Sequence, residues 1–589
     1  MSDNEADADV ERGQQDEQLL PGEPVTARQR RWGRGLAGWI ALALLLLAWF
    51  AWKTVQEETG AHGVLVTVAH GAVAADSGTC SQIGVDVLRK GGNAMDAAIA
   101  ALLCVGSVNL QSSGLGGGGF MVVRAPNGTA SAFNFREMAP ARADTHMFDH
   151  DPLAARVGGL AVAVPGEVHG LWTAHQLYGR LPWADLFAPA IALNEEGFAI
   201  SPRLAQAMQS AEARFTTDPS WSFMLGADGR MLRQGDRLVR KAYAASQRLV
   251  AEQGPHVFYN GSIAASLVEH ANSCGGVLST TDFANYRTVH TTPLNGSFDG
   301  LQVLTCPKPC SGPVLMEGLN IIEGFELRED ALSAHRMVEA MKWLSAGRTE
   351  LGDVDPLLNN AARVEEITGK EWAAEVRLNI SDTHTFDWRH YRPVYQSTEP
   401  AGTTHLSALD VDGMAVAVTS TVNLYFGAQV HDPQTGIVLN SQMDDFSIPN
   451  VSNAYELRPS VYNLIHPRKR PLSSTAPTIV VRNGLPELVI GAAGGSLIVT
   501  TVFEAIVRLL RYHTDLKSAV EMPRMHHQLI PQQVLLEAHF DEKIARQLAG
   551  FGHNVTYFSG GSVMQAIHRV DDTIYAISDP RKGGVAAGY

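Results

Sequence analysis

Thr403-Thr404-His405-Leu406-Ser407 leads into a strand that runs from Thr404 to Leu409, and the residues after it decide how the chain is read. The turn pair Asp412-Gly413 introduces a second strand, Ala415 to Thr421, which places Thr421 eighteen residues beyond Thr403. Asn423 follows in Val422-Asn423-Leu424-Tyr425-Phe426-Gly427. Two further strands, Thr478 to Val481 and Leu488 to Ile490, flank the turn Asn483-Gly484. Val499 to Tyr512 and Asp541 to Gly550 carry helical patterns. Strands packed between helices suggest a layered α/β architecture.

Upstream, residues 64–80 read in strand fashion, beginning Val64-Leu65-Val66-Thr67-Val68-Ala69. Gly84 to Lys90 reads as a helix ended by Gly91-Gly92. Asn93 is placed to cap the next helix, Ala94 to Val105, which is apolar nearly all round and so belongs inside. Strands are expected near Phe120–Arg124 and Ala130–Phe135. The middle, from about Gly166 to Asp353, is mostly helix-patterned, including Gly170 to Gln176 and Arg203 to Ala213. No internal repeat is visible.

The chain has 589 residues, enough for more than one structural unit. Its net charge is 46 − 61 = −15, with no basic cluster outside the N-terminus, which argues against a nucleic-acid partner. Five cysteines (Cys80, Cys104, Cys274, Cys306, Cys310) form no CxxC pair, so no zinc site is expected. Cys306 and Cys310 are close enough to bridge, and the odd count leaves one thiol over. Gly114-Leu115-Gly116-Gly117-Gly118-Gly119 formally fits G-x-G-x-x-G, but a helical pattern precedes it and no βαβ unit follows, which excludes a dinucleotide site. His526-His527 lacks the i, i+4 spacing of a metalloprotease, and His405 is read as structural.

Residues 1–34 are polar and acidic, ending in the basic cluster Arg28, Arg30, Arg31 and Arg34, and read as a disordered cytosolic tail. The apolar run Leu36 to Trp52, about 17 residues, follows; bulky Trp52-Lys53 after it favours a signal anchor over residues 35–53 rather than a cleaved signal peptide. The arginines before the run put the N-terminus in the cytosol and the rest across the membrane, at the vacuole or the cell surface. Sequons at Asn127, Asn260, Asn295, Asn379, Asn450 and Asn554 agree with that side, and Asp16-x-x-Leu19-Leu20 is similar to an acidic dileucine sorting signal.

The chemistry concentrates in the C-terminal third. Gln442 and Asp445 lie in Asn440-Ser441-Gln442-Met443-Asp444-Asp445-Phe446, Ser473 and Ser474 in Pro471-Leu472-Ser473-Ser474, and Gly494-Gly495 in Gly491-Ala492-Ala493-Gly494-Gly495. With Thr403, Thr421 and Asn423, this order and spacing resembles the gamma-glutamyltransferases (gamma-glutamyltranspeptidases). Arg136 in Asn134-Phe135-Arg136-Glu137-Met138-Ala139-Pro140 and the closing Asp579-Pro580-Arg581-Lys582-Gly583-Gly584 match as well. The latter is read as packing at the chain end. The resemblance runs from about residue 64 to Tyr589 and is least distinct in the central helical region.

The resemblance implies an Ntn-hydrolase αββα sandwich, cut from one precursor at Gly402–Thr403 into a large subunit (54–402) and a small catalytic subunit (403–589). Thr403 is then the nucleophile, Thr421 its hydrogen-bonding partner, and Gly494 and Gly495 the oxyanion hole. Arg136, Ser473 and Ser474 hold the α-carboxylate of a γ-glutamyl group; Asn423, Gln442 and Asp445 hold its α-ammonium. The substrates implied are glutathione and other γ-glutamyl compounds, with water, amino acids or dipeptides as acceptors. No cofactor and no metal are implied. Cys80 and Cys104 are spaced like a disulfide of animal members.

These roles make chemical sense residue by residue. A threonine hydroxyl is a weak nucleophile, but at a chain terminus its own α-amine, with a pKa of about 7.7–8, supplies the base. Gly402 offers no side chain to obstruct attack on its carbonyl. A planar guanidinium suits a carboxylate, and amide oxygens with a carboxylate suit an ammonium. Thr404 is the rival nucleophile. Two other readings stay in view: an Ntn amidase or acylase of different acyl specificity, and an unprocessed membrane-tethered binding protein.

Overall fold

The computed structural model describes residues 62–354, 358–395, 402–449, 458–559 and 561–589. In chain order the strands of its two large sheets are β1 (Val66–Val68), β2 (Ala72–Ala74), β3 (Gly118–Arg124), β4 (Ala130–Phe135), β5 (Val289–Thr291), β6 (Leu294–Phe298) and β7 (Leu301–Thr305). Then come β8 (Thr403–Leu409), β9 (Ala415–Thr421), β10 (Thr478–Arg482), β11 (Leu485–Ala493), β12 (Val563–Val570), β13 (Thr573–Ser578) and β14 (Ala587–Gly588). The first sheet has the order β14-β2-β8-β9-β3-β4-β5 and the second β1-β13-β12-β11-β10-β7-β6. Both draw strands from before and after residue 402, so the two halves of the chain complete each other's sheets.

Alternation along β8 and β9 builds the layers. Leu409, Ala415 and Ala417 face the second sheet and pack with Ile479, Val489 and Ile567. Leu406, Ala408, Val416 and Val418 face the other way, onto helices α1 (Gly78–Arg89) and α2 (Ala94–Val108). The outer face of the second sheet, with Val480, Leu488 and Ile490, is covered by α3 (Gly312–Glu323), α4 (Ala331–Arg348) and α5 (Leu497–Leu510). Both sheets are thus buried on both faces, an αββα sandwich.

Local choices agree with this plan. Asn93 caps α2 through a capping box with Asp96, and nearly every residue of that helix is buried. Cys80 and Cys104 are bridged, with Cα atoms 5.3 Å apart, joining α1 to α2. Cys306 and Cys310 are also bridged, leaving Cys274 free. Asn483 and Gly484, at φ 50° and 77°, make the two-residue hairpin turn between β10 and β11. The glycine run packs backbone against backbone: a Cβ at Gly117 would meet the Thr421 carbonyl oxygen at 2.2 Å, and one at Gly119 the Thr419 oxygen at 2.0 Å. That contact, not a nucleotide, explains the run.

One expectation needs correction. Residues 78–80 belong to α1, which begins six positions before Gly84. The middle of the chain is mostly helical, as expected, and also holds the short strands β5, β6 and β7. The predicted anchor (35–53), the tail before it and Asn450 lie outside the described residues. Among the described residues no helix is long and apolar enough to cross a membrane. Asn127, Asn260, Asn295 and Asn554 are exposed, and Asn379 is partly so.

Candidate active site

Thr403 begins β8 at the rim of the sandwich, directly opposite Thr421 at the end of β9. The Thr403 hydroxyl donates to Thr421 Oγ1 at 3.2 Å. Thr421 Oγ1 in turn donates to the Gly402 carbonyl at 2.6 Å and accepts the Asn423 N–H at 2.8 Å. The Gly402 carbonyl is therefore polarised by the same hydroxyl that accepts from Thr403. Gly402 sits at φ 135°, and a Cβ there would lie 2.4 Å from the Asn423 carbonyl oxygen, so no other residue fits without distortion.

Thr404 is turned away from this chemistry. It is fully buried and its hydroxyl donates to Asp76 Oδ2 at 2.7 Å. His405 shares the face of Thr403 but bonds Thr419 Oγ1 at 2.8 Å and Ser407 Oγ at 3.1 Å. Burial pushes its pKa down to about 3, so it stays neutral and structural. A residue the sequence did not single out does reach Thr403: Lys582 Nζ donates to the Thr403 carbonyl at 2.9 Å and pairs with Asp76. The closing segment thus does more than anchor the chain end.

A small cleft of about 220 Å³, open mouth included, is lined by Arg136, Thr403, Thr421, Asn423, Gln442, Asp445, Ser473, Ser474 and Gly495. The structure brings these sequence-derived residues together although Arg136 and Ser474 are far apart in the chain. Gly494 (φ 132°) and Gly495 (φ 64°) form the turn from β11 into the positive end of α5. Gly495 reaches the cleft, while Gly494 packs on Ser562.

Arg136 follows β4 and is almost wholly buried; its guanidinium pairs with Asp445 and donates to the Leu472 carbonyl at 3.1 Å. Gln442 Nε2 donates to Asp445 Oδ2 at 2.8 Å, and Asn423 Nδ2 to the Ser441 carbonyl at 2.9 Å. These acceptor-only partners fix which way each amide points. They leave Asn423 Oδ1 and Gln442 Oε1 buried with no hydrogen-bond partner among the described residues. Asn423 holds φ 76°, an uncommon conformation for a non-glycine residue at a site of this kind. Burial pushes the Asp445 carboxyl above the usual range, against the pull of Arg136 and Gln442, and lifts neighbouring Glu137 to about 8.

Also lining the cleft, Ser473 Oγ lies 3.0 Å from Thr475 Oγ1, and Ser474 Oγ accepts from Arg348 Nη2 at 2.8 Å. Arg348, at the last turn of α4, was not legible as a site residue. Elsewhere among the described residues, His335, Glu339 and His553 bring ligand-type atoms within 4.8 Å of one another. The Lys342 ammonium donates to Glu339 Oε1 there at 2.9 Å, and a metal would have to displace it. His526 and His527 are both buried, and burial pushes His526 down to about 4.

An αββα sandwich with a threonine heading a central strand, its hydroxyl linked to the carbonyl before it, defines the class of Ntn hydrolases. Comparison with known proteins narrows this. The chain belongs to the gamma-glutamyltranspeptidase family, whose description Gamma-glutamyltranspeptidase matches residues 80–589. It is 43% identical over 572 residues to glutathione hydrolase proenzyme 2 of Schizosaccharomyces pombe, covering 95% of this chain and 94% of that protein. Among solved structures, cephalosporin acylase from Bacillus halodurans superposes with a TM-score of 0.78 at 25% identity, over 89% of this chain and 97% of the other. Helicobacter pylori gamma-glutamyltranspeptidase gives 0.52 at 30% identity, over 54% of this chain and 93% of the other.

Proposed function

We propose that this chain is a glutathione hydrolase and gamma-glutamyltransferase that activates itself by cutting the Gly402–Thr403 bond. One observation carries the donor specificity: Asn423 Oδ1 and Gln442 Oε1, two buried acceptors without partners among the described residues, line the same cleft as Asp445 and the Ser473 and Ser474 residues. An α-ammonium would satisfy the acceptors and an α-carboxylate the hydroxyls. Thr403 lies in the same cleft.

In maturation, Thr403 Oγ attacks the Gly402 carbonyl, the C–N bond breaks, and the acyl group moves from nitrogen to oxygen. Water then hydrolyses this ester, leaving a Gly402 carboxylate and a free Thr403 amine and hydroxyl. The amine takes the hydroxyl proton for the second reaction. Thr403 Oγ attacks the γ-carbonyl, the amide nitrogen leaves with a proton, and a γ-glutamyl-threonyl ester remains. The Gly495 and Gly494 amides are assigned to the oxyanion, where a well-aimed donor contributes about 3 kcal/mol. Water or the amine of an amino acid or dipeptide then takes the acyl group. The large (54–402) and small (403–589) chains remain together because their strands interleave within both sheets.

The likeness to a cephalosporin acylase favours a second reading, an amidase for another acyl group. The buried Arg136 and paired serines speak against it, because a simple acyl chain offers them no carboxylate. Comparing γ-glutamyl and simple acyl anilides decides: hydrolysis of the first only supports the proposal, and preference for the second overturns it. For placement, the apolar run and its flanking charges support a type II signal anchor with the catalytic part lumenal or extracellular. Release of the full chain from membranes by alkaline washing would refute the anchor.

A further inference from the structure

Ser473 and Ser474 stand on residues 471–477, which belong to no helix or strand and so have no ladder to fix them. A neighbouring loop does this instead. It connects β7 to α3 and is closed by the Cys306–Cys310 disulfide, with Cα atoms 5.9 Å apart. Within it the Pro309 carbonyl accepts the Ser473 N–H at 2.8 Å. Just past the bridge, Ser311 N–H donates to the Thr475 carbonyl at 2.9 Å, and Ser311 Oγ donates to the Ser473 carbonyl at 2.6 Å. Both sulfurs abut the Thr475 carbonyl oxygen, at 3.7 and 2.8 Å. The loop therefore grips the backbone of Ser473 to Thr475 at three points, while Arg348 holds the Ser474 hydroxyl from the other side.

We propose that the Cys306–Cys310 bridge is a positioning device for recognition of the donor's α-carboxylate: it holds the loop that sets the Ser473 and Ser474 hydroxyls. This rests on the carboxylate reading of those serines given above. A hydroxyl pair recognises a carboxylate only if its spacing is set before the ligand arrives, and an irregular segment supplies that spacing only when its neighbours are rigid. A bridge across four residues removes the freedom of the loop's own backbone. Both cysteines are buried, at 1% and 0% exposure, which keeps the bridge from thiols in the medium.

The test compares two anilide donors, γ-glutamyl and 4-aminobutyryl, which differ only in the α-carboxylate. In the full-length Cys306→Ala/Cys310→Ala protein, KM for the γ-glutamyl donor should rise about tenfold with kcat within about twofold, and the constants for the 4-aminobutyryl donor should not move. Equal loss on both donors, or no change on either, overturns the proposal. Should the double variant fail to fold or to cut itself, Ser311→Ala keeps the bridge and removes one of the three grips. It should raise KM for the γ-glutamyl donor about threefold and leave the other donor alone; an unchanged KM overturns the proposal. A wild-type protein that does not distinguish the donors refutes the carboxylate reading itself, and the proposal falls with it.

Discussion

On the side of the cleft formed by Asn423, Gln442 and Asp445, two buried amide oxygens have no partner, whereas on the side formed by Ser473 and Ser474 each hydroxyl is already engaged by a neighbour. The first arrangement costs folding stability, about 1–3 kcal/mol for each orphaned acceptor, and regains it when a donor arrives. The second costs little and stores geometry instead. On the proposed function, affinity for a donor's ammonium and discrimination by its carboxylate are separable properties of one small site.

The most damaging way to probe this contrast is Asp445→Asn. It removes the nearer of the two carboxylates beside the buried Arg136 guanidinium, the other being Glu137 at 3.8 Å, which is expected to destabilise the protein by about 3 kcal/mol. Donor kcat/KM should fall at least about 100-fold; thermal unfolding and steady-state kinetics measure both. Gln442→Met is gentler on the fold. It loses one hydrogen bond to Asp445 but also removes an orphaned acceptor, so stability should stay within about 1 kcal/mol while donor KM rises about tenfold. Ser474→Ala should raise KM about threefold to tenfold only for donors that carry the α-carboxylate. Equal losses from Gln442→Met and Ser474→Ala on every donor would erase the distinction between the two sides.

The smallest effect concerns pH. Glu167 is fully buried beneath Ser420, whose hydroxyl donates to it at 2.8 Å, and burial raises its pKa from 4.5 to about 8. A carboxyl raised in this way favours the folded state fully below its unfolded value of 4.5, and that contribution is lost as pH rises through about 8. Buried histidines act in the opposite direction. His405 and His526 are depressed from 6.5 to about 3 and about 4, so their contribution is full above 6.5 and lost as pH falls towards those values. Glu167→Gln should flatten the alkaline decline in Tm and leave the acid side unchanged, measured from about pH 5 to about pH 9.

Much of the cleft could be read from the chain because its chemistry lies in compact local patterns. Thr403, Thr421 and Asn423 fall within one hairpin, and the strand alternation around them also gives the layered fold. What escaped is long-range. Asp76 and Lys582 meet from opposite ends of the chain, 506 residues apart, beside Thr403 and Thr404, and no local pattern announces such a contact. Arg348 sits in a buried helix whose neighbours disguise it as packing. Strands β5 to β7 were hidden because they are only three to five residues long and lie inside a helix-rich stretch, and β5, exposed throughout, carries no alternation to mark it. The start of α1 was missed because Ser77 makes no side-chain capping bond to mark it.

On the proposed mechanism a freed Thr403 carries the acyl group. Mass mapping of the purified protein after rapid acid quenching with a γ-glutamyl donor tests this. A small chain beginning at Thr403 is expected, with the γ-glutamyl group as an ester on that residue and no label in Thr403→Ala. Label on Thr404 or elsewhere, or turnover by a chain still intact at Gly402–Thr403, would contradict it.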